Sequence, residues 1–213
     1  MHERDHLGFR RRGWIAVFLL GPAAAVAVLS EPLAPEGSIL DLVLDSLAWL
    51  TLVAGVTLRF WATLYLGGRK QRAIVRQGPY SLCRNPLYLG SFLIACSVAL
   101  FLQSPVFAAA VAAAVALYVS VTVPAEEAHL RETLGEEYAR YCEEVPRFRP
   151  RFIDFRAESP IVVHLNGLRR ELGRALQWVV VPLFGEFLIY LRGQPWWPHL
   201  WACSSHTLGC WLR

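Results

Sequence analysis

The polar residues most able to do chemistry lie in two stretches, RQGPYSLCRNPLYLG (76–90) and PAEEAHLRETLGEEYARYCEEVPRF (124–148), separated by apolar sequence. Asn85 followed by Pro86 is the pattern of a helix start. Asn caps free backbone N–H groups, and Pro fills the first helical position without losing a needed donor. A helix begun there presents its positive dipole end, which favours a carboxylate or phosphate, and Arg84 beside it offers a bidentate partner for an anion. Tyr80 and Tyr88 supply aromatic faces, which attract a cation within about 6 Å. In the second stretch Leu130, Leu134, Tyr138 and Tyr141 recur at helical spacing, with Glu127 near the middle of that stripe and Glu126 towards its edge. A carboxylate on a buried face needs a reason. Together these residues suit a ligand that carries both an anionic group and a cation. Singly, each also has an ordinary structural reading as turn punctuation, a positively charged loop or an interfacial tyrosine.

The elements that must position them are apolar helices. Hydrophobic residues make up 55% of the 213 and charged residues 18%, which points to lipid more than to a soluble core. Residues 14–30, 39–66, 87–103 and 105–123 read as four spans, the last two tightly joined at QSP as an antiparallel hairpin. The basic start, apolar centre and AVA of the first run also fit a cleaved signal peptide. An uncleaved first helix is preferred because further spans follow. Residues 124–142 read as an amphipathic helix outside the membrane. The tail, 157–213, reads as a C-terminal extension in which 175–191 is either a fifth span or a helix lying in the interface beside the aromatic QPWWPHLW. The expected fold class is therefore all-α: a multi-span transmembrane bundle with a core over 1–156.

Charge sets an expected orientation. Arg4, Arg10, Arg11 and Arg12 precede the first span, and Arg69, Lys70, Arg72, Arg76 and Arg84 lie between the second and third, whereas EPLAPEG and QSP carry no Lys or Arg. The positive-inside rule then places the N-terminus and both polar stretches on the cytoplasmic side, at the inner membrane if the source is bacterial. A net charge of +4 is too mild to suggest a nucleic-acid partner. Five scattered cysteines imply no disulfide framework. His199, Cys203, His206 and Cys210 share one helical stripe, but its ends would lie about 16 Å apart, too far to hold one tetrahedral ion, and no metal site is expected.

The order GPYSLCRNPLYLG, then EEAHLRETLGEEYARYCEEVPRF, resembles the isoprenylcysteine carboxyl methyltransferase and phospholipid methyltransferase superfamily of integral membrane enzymes. The resemblance covers residues 72–150. It implies transfer of a methyl group from S-adenosylmethionine, bound at the cytoplasmic side, to a hydrophobic or lipid-like acceptor entering from the bilayer. It also implies cofactor contacts at Tyr80, Asn85, Pro86, Leu87, Tyr88 and Glu127, with Arg72, Ala73, Ile74 and Val75 as a lining segment and Gly90 as a point of close backbone approach. Arg84 and Glu127 are the residues expected to act catalytically, and removal of Glu127 is expected to abolish cofactor binding in a folded protein. Two positions depart from the family pattern. Asn85 stands where His is common, so no histidine base is available there, and VSVTVPAEE lacks the arginine that precedes the paired acids in prenylcysteine enzymes. The acceptor thus stays open among small lipids, isoprenoids, thiols and other hydrophobic molecules. The alternatives are a membrane reductase, with Arg69, Lys70, Arg72 and Arg76 clamping the phosphates of a nicotinamide cofactor, and a non-catalytic scaffold of the same fold.

Overall fold

The computed structural model describes residues 18–66, 74–156 and 165–198. It is helical, with no strands among those residues. The described part of α1 covers Phe18–Val28. It is followed by α2 (Ile39–Leu66), the single turn α3 (Pro79–Leu82), α4 (Pro86–Leu102), α5 (Pro105–Leu117), α6 (Val123–Glu144) and α7 (Leu165–Arg192).

Among the described residues three helices are long and apolar enough to cross a membrane: α2, the run Pro105–Glu144, which kinks at Gly135 (φ 58°, ψ −137°), and Gly167–Arg192 within α7. The described part of α1 and the whole of α4 are shorter; the 17 residues of α4 span about 25 Å. Large apolar side chains point outward along α2, among them Ile39, Leu42, Leu50 and Val53. Its buried positions are Ala48, Leu52, Gly55 and Ala62. Small residues inside and large ones outside are the pattern of a helix that meets its neighbours closely and its solvent, lipid, broadly. The contact with α4 is tightest at Gly55, where an added Cβ would lie 2.8 Å from the Gly90 carbonyl oxygen and 2.9 Å from Ile94 Cγ1.

The fourth apolar run ends where expected, but its helix does not stop at residue 123. Pro105 opens α5, with Ser104 Oγ accepting from Phe107 N, and the helix passes through a π turn, Tyr118–Thr122, directly into α6. The reason is Pro124, which lacks an N–H and whose ring would clash with the carbonyl four residues back in an α-helix. Widening the preceding turn lets the rod accept the proline without breaking. The apolar portion is Pro105–Thr122, about 27 Å long, and α6 carries the charged sequence beyond it.

The tail forms one helix, α7, that starts well before residue 175 and packs on α2 and α4. Arg59 Nε on α2 donates to Glu171 Oε1 at 2.7 Å, and Gly185 lies against Phe101. Arg192, 2% exposed, donates from Nε to Ser30 O and from Nη1 to Leu102 O, tying α7 to the ends of α1 and α4. The His199, Cys203, His206 and Cys210 stripe lies outside the described residues, as do Arg4, Arg10, Arg11, Arg12, Arg69, Lys70, Arg72 and Ala73.

Candidate functional site

At one end of the bundle, the last residue of α2, the turn α3, the first residues of α4 and the face of α6 from Glu126 to Tyr141 line a cavity of about 130 Å³. Proline fixes two of these elements: Pro79 opens α3 and Pro86 opens α4. Gly78 precedes them at φ 58°, in the left-handed region that glycine adopts without penalty. It also faces the Tyr65 ring so closely that a Cβ there would sit 2.5 Å from Cζ.

Glu127 is the hub that joins the two stretches. Its carboxylate accepts from Arg84 Nε at 3.2 Å, Asn85 Nδ2 at 3.0 Å and Arg147 Nη2 at 2.6 Å. The side chain is only 6% exposed, so this is a buried acid compensated by two guanidiniums and an amide. Burial alone would raise its carboxyl, but hydrogen bonds from Arg147 and Asn85, with the charges of Arg84 and Arg147, hold it below the ordinary carboxylate value. Arg84 also donates from Nη1 to the Cys142 and Val145 carbonyls, satisfying acceptors left open at the end of α6.

Asn85 does not cap α4 with its side chain. Its Nδ2 donates instead to Glu127 and to the Arg147 carbonyl, the former a charge-assisted bond that fixes the amide's orientation. Tyr80, Arg84, Asn85, Pro86, Leu87 and Tyr88 all line the cavity, and Glu127 lies against them. Ile74 and Val75 contribute to the same wall. Gly90 lies elsewhere, against Gly55 and Arg59 on α2. Arg76 lines a different cavity, with its guanidinium 5.9 Å from the Tyr141 ring centroid.

Two groups within the cavity are not consumed by the hub. Glu126 sits on the wall and accepts from Tyr88 Oη at 2.6 Å. Tyr80 is buried, and its Oη has no hydrogen-bond partner. Burial pushes the Tyr80 hydroxyl above its ordinary value, and the nearby Cys83 and Glu126 push it the same way, so it remains a protonated donor. The rest of the wall, including Leu66, Leu130 and Leu134, is apolar. A buried hydroxyl without a partner, on a residue that lines the cavity, is a polar group in need of one.

Residues 42–137 match the phospholipid methyltransferase family. A nickel-cobalt-cadmium resistance protein, NccN, of Alcaligenes xylosoxydans xylosoxydans is 33% identical over 158 residues, which cover 72% of this chain and 74% of the relative. The chain belongs to the phospholipid methyltransferase family. A cobalt-zinc-cadmium resistance protein, CzcN, of Cupriavidus metallidurans (strain ATCC 43123 / DSM 2839 / NBRC 102507 / CH34) is 34% identical over 133 residues, 61% of each chain. Protein-S-isoprenylcysteine O-methyltransferase B of Arabidopsis thaliana is 30% identical over 73 residues, 34% of this chain and 37% of that one. No solved structure matches. The expected kinship with membrane methyltransferases and the expected helical membrane bundle are thus both found.

For this phospholipid methyltransferase family member, the structure adds residues that the sequence reading did not single out. Glu126 is on the cavity wall, and Arg147 completes the Glu127 hub. Arg147 directly follows the Val145-Pro146 pair that ends the second motif, and Pro146 O accepts from Arg84 N at 2.9 Å. A basic residue at that place, opposite a buried acid, was the available signal. Among the described residues no group of three or more His, Cys, Asp or Glu is placed to hold a metal ion.

Proposed function

We propose that this protein is an integral membrane methyltransferase that uses S-adenosylmethionine to methylate a hydrophobic or lipid-like acceptor. The observation that supports the reading is a cavity lined by residues of both family motifs, among them Glu126 and Tyr80, whose buried hydroxyl has no hydrogen-bond partner. The residues fit such a cofactor. Tyr80 Oη is a donor for a carboxylate or ribose oxygen, the α4 N-terminus at Pro86–Tyr88 favours an anion, and Tyr88 and Tyr138 offer aromatic faces to a cation. When bound, S-adenosylmethionine supplies a methyl group on a sulfonium sulfur.

The roles divide between the paired acids. Glu127, engaged by Arg84, Asn85 and Arg147, holds the two motifs together and so positions the cavity. Glu126 faces the positive part of the ligand. The chain contributes alignment and exclusion of water more than covalent chemistry. A thiolate or carboxylate acceptor needs no base, whereas an amine or alcohol must lose a proton, and Glu126, accepting from Tyr88, is positioned to take it. The mainly apolar wall suits an acceptor arriving from lipid. The site is placed on the cytoplasmic face, on the strength of the arginines and lysine that precede it and the absence of basic residues from the opposite loops.

The reductase alternative is disfavoured by Arg76, which lines the neighbouring cavity instead of this one. Binding of S-adenosylhomocysteine and of reduced nicotinamide cofactor by the purified protein, measured by calorimetry, separates the readings. Micromolar binding of the former, weakened about tenfold by Glu126→Gln, is expected, together with labelled-methyl transfer into a total lipid extract. Tight binding of the nicotinamide cofactor, or of neither, overturns it.

A further inference from the structure

A second cavity, about 180 Å³, lies behind Tyr141 on the outer side of the first. Arg76, Arg151 and Arg156 line it together with Ser81 and Glu144. Three arginines and one glutamate among its lining residues give the cavity a net positive charge, with Arg151 Nη2 donating to Glu144 O at 2.7 Å. The acid is only loosely engaged: Arg156 Nη1 lies 3.8 Å from Glu144 Oε2. Arg76 Nη2 donates to Glu137 O and lies 3.7 Å from Glu137 Oε1, while Arg76 Nε is buried without a partner. The walls are fixed by backbone: Arg156 N donates to Ser81 Oγ, Arg151 N to Leu82 O, and Gly78 N to Arg156 O.

Beside the cavity the chain exposes hydrophobic side chains at a turn. Phe152 is 76% exposed and Ile153 94%, on a short 3₁₀ turn between Arg151 and Arg156. Phe155 packs against Trp61, ring centroids 5.9 Å apart, near the end of the apolar helix α2. That contact puts the turn beside the last turns of α2, which ends at Leu66. Apolar tips flanked by arginines there are the composition of a segment lying in the headgroup layer.

We propose that residues 151–156 dip into the headgroup layer and that the Arg76, Arg151 and Arg156 cavity binds the phosphate of an anionic phospholipid. Phe152 and Ile153 enter the acyl boundary, while the guanidiniums above them take the phosphate oxygens with charge-assisted hydrogen bonds. The Arg76 Nε hydrogen thereby finds an acceptor. Because Tyr141 forms a wall of both cavities, the lipid sits one side chain away from the candidate methyl-transfer site. The inference does not require that site to be active.

The test uses the full-length protein in detergent micelles, with retained lipid read by native mass spectrometry after exposure to equal amounts of phosphatidylglycerol and phosphatidylcholine. Preferential retention of phosphatidylglycerol is expected, reduced about fivefold by Arg156→Gln, whose charge is near the surface. Arg149→Gln, an exposed arginine off the cavity, should leave retention unchanged and controls for total charge. Phe152→Ser with Ile153→Ser should lower retention of both lipids. Equal retention of the two lipids, an Arg149→Gln loss as large as that of Arg156→Gln, or displacement of the lipid by millimolar inorganic phosphate would each overturn the proposal.

Discussion

Arg147 Nη2 lies 2.6 Å from Glu127 Oε2, joining the segment after α6 back to the first turn of α6 itself. With Arg84 and Asn85 on the same carboxylate, this pair makes Glu127 a structural junction as well as a wall of the cavity. The expectation that Glu127 could be removed from an otherwise intact fold therefore changes. Glu127→Ala leaves two guanidiniums without their counter-charge and should lower stability by about 3 kcal/mol, less than for a fully enclosed pair because 41% of the Arg147 side chain is exposed. Denaturant unfolding in detergent measures it. Unchanged stability would leave Glu127 with a purely ligand-binding role.

The same carboxylate gives a pH signature. Its folded value lies below the unfolded one, taken as 4.5. The stabilisation is fully present above that unfolded value and is lost as pH falls through the lower folded value. Thermal midpoints should be level between about pH 8 and 6 on account of this group and fall in acid. In Glu127→Gln the acid-dependent part of the fall should shrink.

Tyr80→Phe separates ligand binding from folding. The hydroxyl has no partner within the protein, so its removal should leave stability unchanged or raise it by up to about 1 kcal/mol. Binding of S-adenosylhomocysteine should nevertheless weaken by about two- to tenfold, the worth of one hydrogen bond. A loss of stability without a loss of binding would remove Tyr80 from the ligand contacts.

Gly55→Ala tests the α2 to α4 contact. The added Cβ meets backbone, at 2.8 Å from Gly90 O, which cannot move aside as a flexible side chain would. A cost of about 1 to 3 kcal/mol is expected. Gly173→Ala on α7, where nothing lies within 4 Å, should be neutral or slightly stabilising. Equal effects at the two positions would mean that the helices do not approach as described.

Helix starts were legible because proline announces them: Pro86 and Pro105 open α4 and α5, although of the residues before them only Ser104 caps with its side chain and Asn85 does not. The apolar length of α2 was legible for the same local reason. The partners of Asn85 were not, since its amide chooses between its own helix end and an acid 42 residues away, and only the fold brings that acid near. Arg147 was hidden similarly, by a separation that helical periodicity does not reach. The change to charged sequence after residue 123 marks the end of the apolar segment but not of the helix, because the chain absorbs Pro124 in a wider turn and continues. The placement of Glu126 at the edge of the stripe and Glu127 at its middle was sound geometry within α6, yet it assigned a ligand to the acid that the hub occupies.

That wider turn at Tyr118–Thr122 has a consequence for the acids just past it. A π turn holds one residue more than the α turn it replaces, so tightening it would rotate everything downstream by about 100° about the rod. Adjacent residues on a helix differ by that same angle. Slippage of one backbone amide to the next carbonyl would thus carry Glu126 to the place Glu127 now holds, and Glu127 to that of Ala128. The swollen turn therefore fixes the register that gives Glu127, and not its neighbour, to the guanidinium junction.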